Sequence, residues 1–192
     1  MRKTLVFLVS TFFWMLSGNC FAASTPLDVQ HSTLTIRVFK KGLFSGFAHD
    51  HEIAAPLSSG TVDIEALSVE VHFDARELRV LDPDASAADR GKVQETMLSA
   101  KVLDAARFPD ISFVSHGVKS AGENVYTVEG DLTLHGVTRP LAVPVSLRER
   151  HYTGSLKLKQ TDFEITPISL FGGSVKVKDE VEISFEFSLR AD

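Results

Sequence analysis

His49-Asp50-His51 is the stretch of this chain whose residue types and spacing best suit a metal ion. Side chains at i and i+2 of a strand share a face, so both imidazoles would reach one side, with Glu52 or His31 completing a ligand set. A hydrogen-bonded or solvated loop explains the same residues without metal. The other histidines, His72, His116, His135 and His151, are scattered over polar strand faces and turns. Asp82 and Asp84 flank Pro83, where solvated turn chemistry accounts for both carboxylates. The sequence contains no Gly-x-Ser-x-Gly elbow, no glycine-rich phosphate loop and no zinc-protease motif. The expectation is a protein that is not an enzyme and requires no cofactor.

The larger chemical opportunity is apolar. Leu34, Ile36 and Val38 alternate with polar residues along Ser32 to Phe39, and Val69, Val71 and Phe73 do so after Val62, Ile64 and Leu67. Phe113, then Leu132 and Leu134, then Val143 and Val145 continue the pattern. Leu156 (with Tyr152 and Leu158), Phe163, and finally Ile183, Phe185 and Phe187 complete it. Period-2 alternation gives each segment one apolar and one wet face, the mark of half-buried antiparallel strands. Phe44 and Phe47 fall in a bent or bulged stretch, Lys40 to Ile53, and Met97 falls on a helix. Together these residues are the expected lining of an apolar cavity or, where side chains fill the barrel, the packed core of a structural, stress-related protein. Flat rings and few polar atoms suit a long alkyl or prenyl chain, which gains roughly 0.8 kcal/mol per methylene removed from water.

The elements that must position this lining are clearest from Tyr126 to Leu147. Val128, Leu132 and Leu134 lead to His135-Gly136, a turn that tolerates positive φ. Pro140 then opens a second strand carrying Leu141, Val143, Val145 and Leu147. Ser86 to Leu98 reads as the one helix, with Leu103 to Ala106 a further turn of it. About eight strands with one helix require two facing sheets or a sheet closed on itself, and closure also removes exposed edges. An outer-membrane barrel has the same period, but it needs aromatic girdles, and beyond residue 23 the chain has no Trp and only Tyr126 and Tyr152. A barrel not integral to a membrane is expected.

Arg2-Lys3, the apolar run Leu5 to Leu16 and a small-x-small site near Ala22-Ala23 mark residues 1–23 as a signal peptide, leaving one domain at residues 24–192. About a dozen apolar residues fall short of the roughly 20 that span a bilayer. Cleavage removes Cys20 and Trp14, the sole Cys and Trp, so no internal disulfide follows. The formal charge of −5 becomes −7, because Arg2 and Lys3 are the only charges lost. An acidic chain without a basic run argues against nucleic acid and a polybasic membrane surface. A periplasmic location is expected, and homodimer formation is left open.

The run Gly130-Asp131-Leu132-Thr133-Leu134-His135-Gly136-Val137-Thr138-Arg139-Pro140 resembles the signature hairpin of the YceI family of exported, lipocalin-like proteins. Phe108 to Ser115, Asp162 to Pro167 and Val177 to Phe187 agree with it in order. The resemblance implies an all-β fold, an eight-stranded antiparallel lipocalin-like β-barrel with one helix. It also implies a hydrophobic small-molecule ligand, a polyisoprenoid, quinone-like lipid or similar amphiphile, in a long apolar pocket. Two departures leave the ligand's identity open. Glu164 stands where relatives often have Gly, and Gly91 to Met97 replaces an Arg-Asp-x-His-Leu form.

Overall fold

The computed structural model describes residues 24–41, 50–170 and 175–191. The expected signal peptide, Phe44, Phe47 and His49 lie outside the described residues. The strands are β1 (Thr25–Pro26), β2 (Thr33–Lys41), β3 (His51–Ala54), β4 (Leu57–Asp63), β5 (Ser68–Asp74) and β6 (Arg79–Val80). Helix α1 (Ala87–Leu98) follows, then β7 (Asp110–Gly122), β8 (Val125–Leu134), β9 (Val137–Arg148), β10 (His151–Lys159), β11 (Ser169–Leu170) and β12 (Val175–Ser188). Eleven strands run in the order β1-β4-β5-β7-β8-β9-β10-β12-β2-β3-β6, with β11 paired to β12 off that path. Among the described residues the result is an all-β antiparallel half-barrel with a single helix, and it corrects the expected count of eight. Eight segments have seven residues or more, while β1, β3, β6 and β11 have two to four, too few to leave an alternation signal.

Within the sheet, β9 is only partly paired to β10. Its ladder with β10 holds three pairs, His151↔Arg148, Tyr152↔Leu147 and Thr153↔Ser146. Pro140 and Pro144 lie along the remainder of β9, where a residue without an N–H forfeits no β10 hydrogen bond. Pro140 therefore does not open the second strand as expected; β9 begins at Val137, and Pro140 faces Asp131. At one end the lead segment ties the flanks together. Leu27 N donates to Gly60 O (2.9 Å), Asp28 N to Ser188 O (2.8 Å) and Arg190 N to Pro26 O (3.0 Å).

The β8–β9 turn has positive φ at both His135 (53°) and Gly136 (75°), the requirement of a two-residue type I′ turn. Elsewhere bulges change the phase of the alternation. In β4 the inward parity passes from Leu57 to Gly60 and Val62 across a register shift between Leu57 and Ser59. In β7 a shift between Ser115 and Gly117 moves it from Phe113 and Ser115 to Val118.

Ser86 caps α1: its Oγ accepts from Asp89 N (3.1 Å) and donates to Asp89 Oδ2 (2.8 Å). Leu103 to Ala106 forms turns rather than more helix. Along α1 only Met97 is fully buried, so the helix stands on the sheet's rim instead of pressing into it. Its Gln94 finishes the open edge of β6. Oε1 accepts from Val80 N (2.8 Å) and Nε2 donates to Leu78 O (2.8 Å), so one amide replaces a missing neighbour strand. Gln94→Ala strands both backbone groups and should cost about 1–3 kcal/mol in urea denaturation.

A 3₁₀ turn, Gln160–Phe163, ends on Glu164 at φ 59°, ψ 20°, in the left-handed region that glycine occupies without strain. Glu164→Gly should therefore raise thermal stability, by up to about 1 kcal/mol once glycine's extra chain entropy is set against the relieved strain. An unchanged or lowered midpoint would show that the Glu164 side chain supports the turn.

Candidate ligand-binding site

The concave face of the sheet encloses a cavity of about 240 Å³. Twelve of the residues expected to line it do so: Leu34 from β2, Val69, Val71 and Phe73 from β5, Phe113 from β7, Leu132 from β8, Val143 and Val145 from β9, Leu156 from β10, and Ile183, Phe185 and Phe187 from β12. Leu27, Val62, Val118, Tyr126, Val128, Leu141, Leu147, Tyr152 and Leu158 join them. The expectation missed Leu27 because it forms an isolated bridge to Leu189 just past the two-residue β1, too little to show a period, and Val118 because the β7 bulge shifts the phase. Five other expected residues lie elsewhere. Ile36 and Leu134 pack against the core from partly buried positions, and Phe163 is core at 3 % exposure. Val38 and Met97 line a second cavity.

The state of the lining matters more than its membership. Leu34, Val69, Leu132, Leu141, Leu156, Ile183 and Phe185 all point inward, yet each is only half-buried. Side chains that filled a barrel solidly would have lost their contact with solvent-sized space. Two glycines keep the wall thin. A Cβ at Gly130 would lie 2.6 Å from Phe113 Cζ and 2.5 Å from Val114 O, and one at Gly154 would collide with the Phe185 ring and Pro144 O. Each ring thus reaches into the space that a side chain on the glycine would take. Phe185 stacks on Phe187 with centroids 4.8 Å apart, and Phe187 meets Phe73 at 6.4 Å.

At the β4–β5 turn, Ile64 and Leu67 also border this cavity while remaining 62 % and 53 % exposed. Both were expected inside strands. They occupy the turn instead, with Leu67 at φ 50°, so the chain places two bare aliphatic side chains at the mouth. Asp63, Ser68, Tyr126 and Tyr152 contribute the lining's polar atoms. Burial raises the Tyr152 phenol above its ordinary pKa of 10.0, with Tyr126 adding to the shift. The neutral phenol is therefore favoured in the fold: its contribution is intact below pH 10 and fades as pH climbs through the raised value. Tyr152→Phe should remove that alkaline loss, as measured by thermal denaturation across pH 9–12.

The residues weighed for metal binding go separate ways. His49 is outside the described residues. His51 Nδ1 sits 2.6 Å from Asp82 Oδ2, Glu52 turns toward Arg37 (3.9 Å), and His31 pairs with Asp28 (2.9 Å). Among the described residues, no group of three His, Cys, Asp or Glu is placed to hold a metal ion. Asp82 is also not the solvated turn residue expected. Its side chain is 3 % exposed, and Oδ1 accepts from Glu52 N at 2.8 Å, so it pins the start of β3 to the segment before α1.

A curled antiparallel sheet around an apolar cavity, with one helix at its edge, defines a lipocalin-like protein. Within that class the chain belongs to the YceI-like domain family, whose model matches residues 26–189. A UPF0312 protein of Pseudomonas savastanoi pv. phaseolicola is 28 % identical over 97 % of both chains. Another, from Pseudomonas syringae pv. tomato, is 31 % identical over 74 % of this chain and 71 % of its own. Among solved structures, Burkholderia cenocepacia BcnA shares the fold at TM-score 0.66 and 22 % identity, covering 85 % of this chain and 99 % of BcnA. No helix among the described residues is long and apolar enough to cross a membrane.

Proposed function

We propose that this protein is an exported carrier that holds one long-chain isoprenoid, quinone-like or fatty amphiphile in its apolar cavity and performs no catalysis. It acts in the periplasm after removal of residues 1–23. The observation that carries this reading is the row of inward-facing aliphatic and aromatic side chains left half-buried along the central strands. Such surface remains a cost to the empty protein, and a hydrocarbon chain relieves it at roughly 0.8 kcal/mol per methylene covered. The lining offers few hydrogen-bonding groups, so length and shape, rather than a polar signature, select the ligand. Ile64 and Leu67 supply an apolar path from the mouth to the interior.

Tyr126 and Tyr152 are the chain's two tyrosines and both line the cavity, which makes them native reporters. Delipidated protein titrated with a long-chain prenol should change its tyrosine emission and saturate at one prenol per chain. A flat titration with folded protein would contradict the carrier reading. Fractionation of the producing cells tests the location, and recovery of uncleaved protein from the cytoplasm would contradict export.

A further inference from the structure

Among the described residues the two most exposed large hydrophobic side chains, Ile64 (62 %) and Leu67 (53 %), sit in the same turn. That turn, residues 64–67, joins β4 to β5 beyond the last ladder pair, Asp63↔Ser68. Ala66 N donates to Asp63 Oδ1 at 2.7 Å and fixes its shape. Leu67 holds a left-handed conformation (φ 50°) that glycine or asparagine adopts with less strain. The chain therefore bears a strained leucine at a position where folding buries little of it.

Both side chains also border the apolar cavity, so the exposed patch is continuous with the cavity lining. Size and charge decide what can cover it. Two aliphatic side chains supply far less than the roughly 800 Å² per partner of a stable protein interface, and residues 63–70 hold no aromatic or Arg anchor. A lipid surface sets no such threshold, because attachment to it scales with whatever apolar area is inserted. Residues 63–70 carry Asp63, Glu65 and Glu70 without a Lys or Arg, and Asp63 is the one charged residue in the described cavity lining. Carboxylates are repelled by anionic lipids, so the surface that fits this turn is zwitterionic.

We propose that the protein docks through Ile64 and Leu67 on a zwitterionic lipid surface, which brings the cavity mouth against the acyl chains while ligand passes. The inference rests on the carrier reading and adds the partner from which the ligand is taken or to which it is given. Insertion is shallow. The two aliphatic side chains enter the lipid, while Asp63 and Glu65 stay at the level of the headgroups and water.

Trp14 is the chain's only tryptophan, so an Ile64→Trp, Trp14→Phe variant carries a single indole, in the turn. Stripped of lipid and mixed with phosphatidylcholine vesicles whose acyl chains are brominated near the headgroups, this variant should shift its emission to the blue and be quenched saturably. Salt should not weaken that binding, and replacing a third of the lipid by phosphatidylglycerol at low salt should weaken it about threefold or more. Leu67→Asn, a residue suited to the left-handed turn, should weaken it about tenfold in the same background. Val114→Ser removes a comparably exposed (46 %) aliphatic side chain from the outer face of β7 and should leave it within about twofold. Unquenched emission from folded protein, tighter binding to the anionic vesicles, or equal effects of Leu67→Asn and Val114→Ser would each overturn the proposal. So would sedimentation showing that the turn joins two copies of the chain instead. Prenol uptake by the parent protein, read separately from its tyrosine emission, tests the carrier reading alone: a flat titration beside a quenched turn removes the carrier and leaves the docking surface.

Discussion

Leu156→Trp is expected to leave the protein folded and to weaken uptake of a long-chain prenol by about fiftyfold or more. Leu156 faces the cavity from β10, opposite Ile183 of β12, and is only half-buried, so a larger ring has space to enter. Indole in place of isobutyl displaces ligand rather than protein. If three methylenes of the ligand lose their place, the loss is about 2.4 kcal/mol, or roughly fiftyfold. A solidly packed interior would answer differently, because small-to-large changes in filled cores cost about 1–3 kcal/mol of stability. Denaturation and prenol titration of one variant thus separate a carrier from a filled scaffold. Lost stability with no change in binding would favour the scaffold.

The second large effect is expected at Gly130. Alanine there must displace the Val114 carbonyl oxygen, which belongs to the ladder, and the Phe113 ring, which borders the cavity. A loss of about 2–3 kcal/mol follows from overpacking against backbone, equivalent to roughly 5–10 °C in a domain of this size. Gly117→Ala is the matched control on the neighbouring strand. Its new Cβ has Glu129 Oε2 at 3.8 Å as its nearest contact, and the change should stay within about 0.5 kcal/mol. Adding Phe113→Leu to Gly130→Ala should restore part of the loss, since the ring collision goes while the carbonyl collision remains. Equal stability of the Gly130 and Gly117 variants would show that the wall yields more readily than these contacts imply.

Alternation made much of this legible. In β2, β5, β8, β9, β10 and β12 the period-2 rows continue long enough to assign an inner face, and His135-Gly136 marks its turn by the conformations those residues tolerate. Legibility failed where the chain departs from regular pairing. A bulge reverses the phase in β4 and β7, which hid Val118, and an isolated bridge such as Leu27 with Leu189 has no phase to read, which hid Leu27. Ile64 and Leu67 fit the alternation on either side of a turn, so nothing local told that the turn itself held them. Asp82 was misread for a different reason. Beside proline a carboxylate ordinarily faces water, and only the return of β3 alongside brings the His51 ring and the Glu52 N–H to it.

The second cavity was equally invisible, since Val38 of β2 and Met97 of α1 come from elements 59 positions apart in sequence. What one can read in such a chain is which faces are apolar. Which of them stay uncovered depends on how tightly the sheet curls and how far the helix stands away.

Native mass spectrometry of the protein, purified gently from the cells that make it, tests the central claim most directly. The account predicts a population heavier than the polypeptide by the mass of one lipid, which collisional activation releases and Leu156→Trp lacks. A spectrum of bare polypeptide alone, unchanged after incubation with long-chain prenols, quinones and fatty acids, would contradict it.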